Sequence, residues 1–208
     1  MTRPERAMLL AAGLGTRMRP LTEKLPKPML PVAGQPLIDH ALDRLAEFCV
    51  ARAVVNSHYF AERLAAHLAG RTRPRIALVH EPVLLGTGGG VANALPDLAP
   101  DPDAPPFFFA NADALWRDGP LPMLSRLAGA WQDDAMDALL LLVPKAAAVG
   151  MQGAGDFHRD SDGRLRRRRD DDPAPYFYGG VQLVHRRLFD GAVEGAFSVV
   201  PLWDRAAE

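Results

Sequence analysis

Lys27 stands between two prolines in Pro26-Lys27-Pro28, a short way downstream of a glycine-rich stretch in which residues 10–22 read LAAGLGTRMRPLT. Each proline fixes its φ near about −65°, so the ammonium is carried by a stiff loop. Upstream, a short apolar run feeds straight into Ala11, Ala12, Gly13, Gly15 and Thr16. A glycine-rich turn at the end of a strand arrays consecutive backbone N–H groups around a concavity that suits a phosphate chain. A lone Gly-x-Gly is more often a plain turn out of a strand, and here the basic residues decide against that. Arg17 follows the turn directly and offers a fork for phosphate oxygens, while Lys27 offers a point charge for a reacting phosphorus. The pattern is neither a dinucleotide fingerprint nor a P-loop. Met18 stands where the fingerprint needs its third glycine, and no Gly-Lys-Ser or Gly-Lys-Thr triplet is present.

Such a loop needs a buried strand in front of it. Residues 7–11 (AMLLA) are apolar, uncharged and stopped by Gly13 and Gly15, as a strand covered on both faces reads. After the proline-punctuated loop, Leu37, Ile38, Ala41, Leu42 and Leu45 recur with the spacing of a helix packed on a sheet. Residues 52–56 (RAVVN) read as a second strand, 60–68 as a second amphipathic helix and 75–80 (RIALVH) as a third strand. A further helix is expected over 91–95, beyond the glycines at 86–90. Residues 107–110 (FFFA) form the next buried strand, ending in Asn111 and Asp113; 121–131 are helical, and 137–143 (DALLLLV) read as another central strand. Strands separated by single helices point to βαβ units, a parallel sheet and right-handed crossovers. From about Gly150 the character changes. Ser161-Asp162-Gly163 is a hairpin turn, residues 164–172 form a charged arm that reads as solvated because three aspartates follow its arginines, and 176–184 is one more strand. The expected fold is α/β and Rossmann-like: a mixed, mainly parallel sheet with helices on both faces and a small antiparallel insertion, in one domain over residues 1–208.

A chain of 208 residues can bury one sizeable core. Lys+Arg number 24 against Asp+Glu 25, a balance that argues against a nucleic-acid partner but leaves room for a local basic pocket. No apolar run approaches the roughly 20 residues needed to span a bilayer, so no membrane partner is expected. Residues 1–6 are charged and run straight into the first strand, which is not the layout of a signal peptide, and a cytoplasmic location is expected. Cys49 is the single cysteine, which excludes an internal disulfide and a cysteine-only zinc site; it is expected in the core. His40, His58 and His158 lack metal-binding spacing and read as structural or exposed.

Residues 10–22, followed by Pro26-Lys27-Pro28-Met29-Leu30-Pro31-Val32, resemble the signature of the sugar-1-phosphate nucleotidylyltransferases. Glu81 with Leu85-Gly86-Thr87-Gly88-Gly89-Gly90 resembles the base-reading loop of that family, and Asn111-Ala112-Asp113 resembles its metal-binding turn. The short chain, Gly-Thr-Gly-Gly-Gly, Gly155-Asp156-Phe157 and Tyr178-Gly179-Gly180-Val181 look most like the branch that uridylylates N-acetylmuramic acid 1-phosphate in cell-wall recycling. The resemblance implies that a sugar 1-phosphate oxygen attacks the α-phosphorus of UTP and pyrophosphate leaves, without a covalent enzyme intermediate. On that reading Ala11, Ala12, Gly13, Gly15 and Thr16 would hold the nucleotide, Arg17 the departing pyrophosphate, and Lys27 would bridge the two reacting phosphates. Asp113 would bind Mg²⁺. Glu81, Gly86, Thr87 and Gly88 would read the base, although Glu81 as an acceptor suits uracil and guanine alike, and the glycines could equally serve as a helix cap. Asn111, Asp156 and Gly180 would meet the sugar, with a turn-forming role open for Asn111 and a structural one for Asp156. About 1–150 would then be the nucleotide-binding part and 151–208 the sugar-binding part.

One departure from the family pattern lies near the chain end. Members usually continue past the helix that begins near Ser198 into a Gly-x-Trp-x-Asp-like strand with a second metal ligand, so either the 208-residue sequence is C-terminally truncated or Asp113, substrate and water alone would hold the metal. Asp204, inside that helix, is not expected to substitute. Two other functions stay open on the residues: a guanylyltransferase for a mannose- or heptose-type 1-phosphate, and a non-catalytic nucleotide-sugar-binding regulator.

Overall fold

The structure, a computed structural model, describes residues 3–208. The expectation about residues 1–6 falls partly on Met1 and Thr2, which lie outside them. Strand β1 (Arg6–Leu10) pairs in parallel with β4 (Arg52–Ser57) on one side and with β6 (Phe107–Asn111) on the other, and β5 (Arg75–His80) extends the sheet beyond β4. The short strands β2 (Pro31–Val32) and β3 (Gln35–Pro36) make a separate ribbon. Beyond β6 the direction changes: β10 (Tyr176–Val184) runs antiparallel to β6 and to β7 (Ala138–Pro144). The hairpin of β8 (Phe157–Arg159) and β9 (Leu165–Arg167) joins the first residue of β10. Among the described residues the main sheet has eight strands and is mainly parallel at its centre, with an antiparallel insertion after residue 150, as expected.

Period-two alternation divides each central strand between two cores. Ala7, Leu9, Val55, Phe108 and Leu183 face α1 (Leu37–Glu47), α2 (Ala61–Leu68) and α4 (Met123–Ala130). Met8, Val54, Phe107, Phe109 and Val184 face α3 (Gly86–Leu98) and α5 (Val200–Ala206). Phe107, Phe108 and Phe109 are all at most 1% exposed. At about 1.5–3 kcal/mol for each large apolar side chain removed from water, this run anchors β6 in the middle of the sheet.

Three expectations are corrected. The helix expected over 91–95 starts at Gly86, because its glycines lie in close-packed contacts that a side chain would not fit. Residues 137–143 form an edge strand and not a central one: among the described residues β7 pairs with β10 alone, and its burial alternates only weakly. Cys49 is exposed, since it follows α1 in a left-handed turn (φ 69°) that carries the chain out of the helix.

Candidate active site

Strand order reverses at β1, whose neighbours β4 and β6 lead the chain to opposite sides, and ligands of open α/β sheets bind at the carboxyl ends of strands beside such a point. The loops leaving β1 and β6 meet there. The Ala112 N–H donates to the Leu10 carbonyl at 3.1 Å, which ties the two strand ends together. In the first loop Gly15 adopts φ 64°, and a Cβ on it would lie 2.9 Å from Thr22 Cγ2 and 3.1 Å from Lys27 Cβ. Only a glycine lets Thr22 and Lys27 close in so tightly. Buried Thr22 donates its hydroxyl to the Gly15 carbonyl at 2.8 Å and locks that closure. Gly13 has open space where a Cβ would stand, so a ligand can reach its backbone. Thr16–Met18 form a 3-10 turn, with Thr16 and Arg17 exposed on it.

Lys27 and Asp113, 86 residues apart in sequence, are brought into an ion pair between Nζ and Oδ2. Their side chains are 29% and 33% exposed, so both remain open to a ligand from the solvent side.

Glu81 is placed differently from the expectation. It is 1% exposed; Oε1 accepts from Asn56 Nδ2 at 2.7 Å and Oε2 from the Leu85 N–H at 3.0 Å. Asn56 Oδ1 in turn accepts the Ala11 N–H at 2.7 Å. This buried relay joins the ends of β1, β4 and β5 to the start of α3. It occupies the Ala11 N–H that the sequence reading offered to a phosphate, and it turns the Glu81 carboxylate inward. Gly88 is held in place as well. Its N–H and that of Gly89 donate to the Phe197 carbonyl, at 2.9 and 3.2 Å. A Cβ on Gly88 would collide with the Phe197 ring, on Gly89 with the Gly195 carbonyl, and on Gly90 with Asn56 and Glu81. The glycine run is a packing device. Gly86 and Thr87 stay exposed at its start, and Thr87 Oγ1 accepts the Val199 N–H at 3.0 Å.

Past the end of β6 a cavity of about 380 Å³ opens under the β8–β9 hairpin and against α5. It lies where the pairing of β10 with β6 stops at Val181 and β10 shifts register against β7 between Tyr178 and Gln182; there Gly180 (φ 76°) backs onto Asn111, whose Nδ2 would lie 3.3 Å from a Cβ. Asn111 and Asp156 line this cavity, and Asp156 Oδ2 accepts the Tyr178 N–H at 2.8 Å. Asn111, Asp156 and Gly180, far apart in sequence, thus converge. Asp204 takes a double hydrogen bond from Arg167, and that guanidinium holds its carboxyl below the usual range.

Residues 6–150 match the family model described as Nucleotidyl transferase. The chain belongs to the nucleotidyl transferase family. It is 42% identical over 209 residues to an N-acetylmuramate alpha-1-phosphate uridylyltransferase of Caulobacter vibrioides, covering 98% of this chain and 85% of that one. To the protein of the same name from Neisseria meningitidis serogroup B it is 39% identical over 113 residues, 53% of this chain and 47% of the relative. The fold is shared with the inositol-1-phosphate CTP transferase from T. maritima at a TM-score of 0.78 and 19% identity, over 99% of this chain and 82% of the other.

For a nucleotidyltransferase the crevice has the required character: open backbone at Gly13, an exposed arginine and a stiffly held lysine beside a carboxylate. Among the described residues no group of three His, Cys, Asp or Glu could enclose a metal, so Asp113 is a single carboxylate facing the crevice. Gln182, Tyr178, Trp203 and Arg168 also line the cavity and were not foreseen as site residues. Gln182 had left a trace as an amide amid the apolar run of YFYGGVQLV, Tyr178 stood in the Tyr-Gly-Gly-Val run, and Arg168 read as part of a solvated arm. No helix of the described residues is long and apolar enough to cross a membrane.

Proposed function

We propose that the protein transfers a uridylyl group from UTP to the 1-phosphate of an amino sugar, N-acetylmuramic acid 1-phosphate, releasing pyrophosphate and forming a UDP-sugar for cell-wall recycling in the cytoplasm. The observation that carries this reading is the meeting of Lys27 with Asp113 beside the open Gly13 backbone, in a chain alike over nearly its whole length to an enzyme of that name.

A phosphate oxygen of the sugar 1-phosphate attacks the α-phosphorus of UTP, the bond from that phosphorus to the bridging oxygen breaks, and pyrophosphate leaves with the electron pair. No side chain has to take a proton, so the work is alignment and charge neutralisation. The 13–16 backbone cradles the triphosphate, and Arg17, exposed and without an ion-pair partner among the described residues, meets the leaving pyrophosphate. Lys27 holds the α-phosphate against the incoming one. Asp113 is the residue that would hold a Mg²⁺ ion, and such an ion would supply neutralisation of the triphosphate charge. Residues up to about 150 serve mainly the nucleotide and those beyond it the sugar, with Asn111 from the first part joining Asp156 and Gly180 on the sugar side.

Pyrophosphate release measured with UTP, CTP, GTP and dTTP against N-acetylmuramic acid 1-phosphate, N-acetylglucosamine 1-phosphate and mannose 1-phosphate, with Mg²⁺, tests the reading. The UTP and N-acetylmuramic acid 1-phosphate pair is expected to be fastest. A higher kcat/KM for GTP with mannose 1-phosphate would replace it with a guanylyltransferase.

A further inference from the structure

The cavity past the end of β6 holds buried donors without acceptors. Gln182 is 0% exposed, and its Oε1 accepts from Trp203 Nε1 at 2.9 Å. An indole can only donate, so the amide is oriented and its Nε2 must be the donor. That Nε2 has no acceptor among the described residues. Neither does the buried hydroxyl of Tyr178. Burial pushes the Tyr178 pKa well above its ordinary value, against a smaller lowering from the neighbouring Gln182 side chain, so the hydroxyl stays protonated beside that amide and able to donate. Unpaired buried polar groups of this kind destabilise the empty protein, and a ligand that completes them is one explanation for their being kept.

The cavity also carries a cation without a counter-ion. Arg166 and Arg167 are matched by Asp172 and Asp204. Arg168, half-buried on the lining, has no carboxylate within ion-pair distance among the described residues. Its Nε donates to the Gly155 carbonyl at 3.0 Å, and Nη1 to the carbonyls of Arg169 and Asp170 at 2.9 and 3.1 Å. These bonds clamp the guanidinium and leave Nη2 over. Asp156 is the carboxylate on the lining, and the Tyr178 N–H holds one of its oxygens, which suits it to sugar hydroxyls and not to a second anion. Apolar wall comes from Phe157 and Trp203, with ring centroids 5.9 Å apart.

We propose that this cavity receives a carboxylate-bearing arm on the sugar, a 2-oxypropanoate ether, with Arg168 pairing its carboxylate, Gln182 and Tyr178 donating to its oxygens, and Trp203 packing its methyl group. The inference rests on the proposed function and deepens it, because that ether is the group by which muramic acid differs from glucosamine. A plain N-acetylhexosamine 1-phosphate leaves all these groups unmet, and a site built to hydrogen-bond a substituent rejects the analogue that lacks it.

The test is kcat/KM with UTP for N-acetylmuramic acid 1-phosphate and N-acetylglucosamine 1-phosphate, in the unaltered protein, Arg168→Met and Gln182→Met, with thermal unfolding of each. Loss of the charge partner in Arg168→Met is expected to lower kcat/KM for the muramic substrate on the order of 100-fold. The glucosamine substrate should change by no more than about twofold, since it never met that group. Gln182→Met is expected to lose roughly tenfold on the muramic substrate alone, the scale of one hydrogen bond. Arg168→Lys, which keeps the charge and loses the fork, guards against a folding defect and should recover part of the selectivity. Equal losses on both substrates would make Arg168 a clamp for the hairpin and overturn the inference. So would a muramic preference that survives in Arg168→Met and Arg168→Lys, while leaving the uridylyltransferase reading intact. An unaltered protein that uses the glucosamine substrate as well as the muramic one overturns the proposed substrate itself, and the arm site with it.

Discussion

The crevice between β1 and β6 and the cavity under the β8–β9 hairpin share a border at Asn111, yet they keep their polar groups in opposite ways. In the crevice Arg17, Lys27 and Asp113 sit on loops, partly exposed, with water to satisfy what the protein does not. In the cavity Gln182 and Tyr178 are buried and short of partners. An ion pair about a third exposed contributes about 1 kcal/mol at most, so the crevice can lose a residue without loss of fold. The cavity groups are a standing penalty on the empty protein. Chemistry that must neutralise a triphosphate can be placed where water pre-solvates it, whereas recognition gains its discrimination from groups that water cannot reach.

The largest effect that separates the two regions is expected from Lys27→Ala. Turnover should fall about 100-fold or more, the scale for removing one preorganised transition-state donor, for every accepted sugar and with an unchanged unfolding midpoint. A loss confined to one sugar would erase the distinction drawn between crevice and cavity. Asp113→Asn keeps shape but removes the charge a hard cation needs, and calorimetry should show the Mg²⁺-dependent part of UTP binding weakened about tenfold or more. Unchanged Mg²⁺-dependent binding would place the metal elsewhere.

The relay behind the crevice should answer in stability. Asn56→Ala strips partners from the Ala11 N–H and from Glu81 Oε1, and buried groups so stranded cost roughly 1–3 kcal/mol. Urea unfolding should register that loss together with a raised KM for UTP, because the first loop hangs from the Ala11 bond; a stability loss with KM unchanged would reduce the relay to scaffolding. The smallest effect lies outside both regions. Burial lowers the pKa of His185 below its ordinary 6.5, and its Nδ1 accepts the Arg187 N–H at 3.2 Å, so the folded chain needs it neutral. The unfolded chain therefore takes up this proton first as pH falls. Stability should decline on acidification through the region around 6.5 and be whole above it, and His185→Gln should flatten that slope in pH-resolved melts without altering activity.

Much of the fold was legible along the chain. The apolar run before Gly13, the short apolar runs within 52–56 and 107–110, and the helical stripe from Leu37 all rest on neighbours a few residues apart, and β1, β4, β6 and α1 fall where those patterns put them. The glycines at 86–90 were misread because flexibility and tight packing ask for the same residue. Only the 195–198 segment, folded back from more than a hundred positions away, tells which of the two is at work. Glu81 was misjudged for a similar reason: a carboxylate before a glycine run looks free to meet a ligand until Asn56 and the Leu85 N–H are seen to claim both its oxygens.

The sequence by itself determined the α/β class, the glycine-rich turn after the first strand and the family likeness, because propensity, hydrophobic period and loop chemistry are set by residues close together in the chain. The tertiary structure decided which groups remain available. Whether a donor is satisfied depends on an acceptor that may come from anywhere, so the occupied Ala11 N–H, the inward Glu81, and the unmatched Gln182, Tyr178 and Arg168 became visible only when β10 left β6 and α5 closed over the gap.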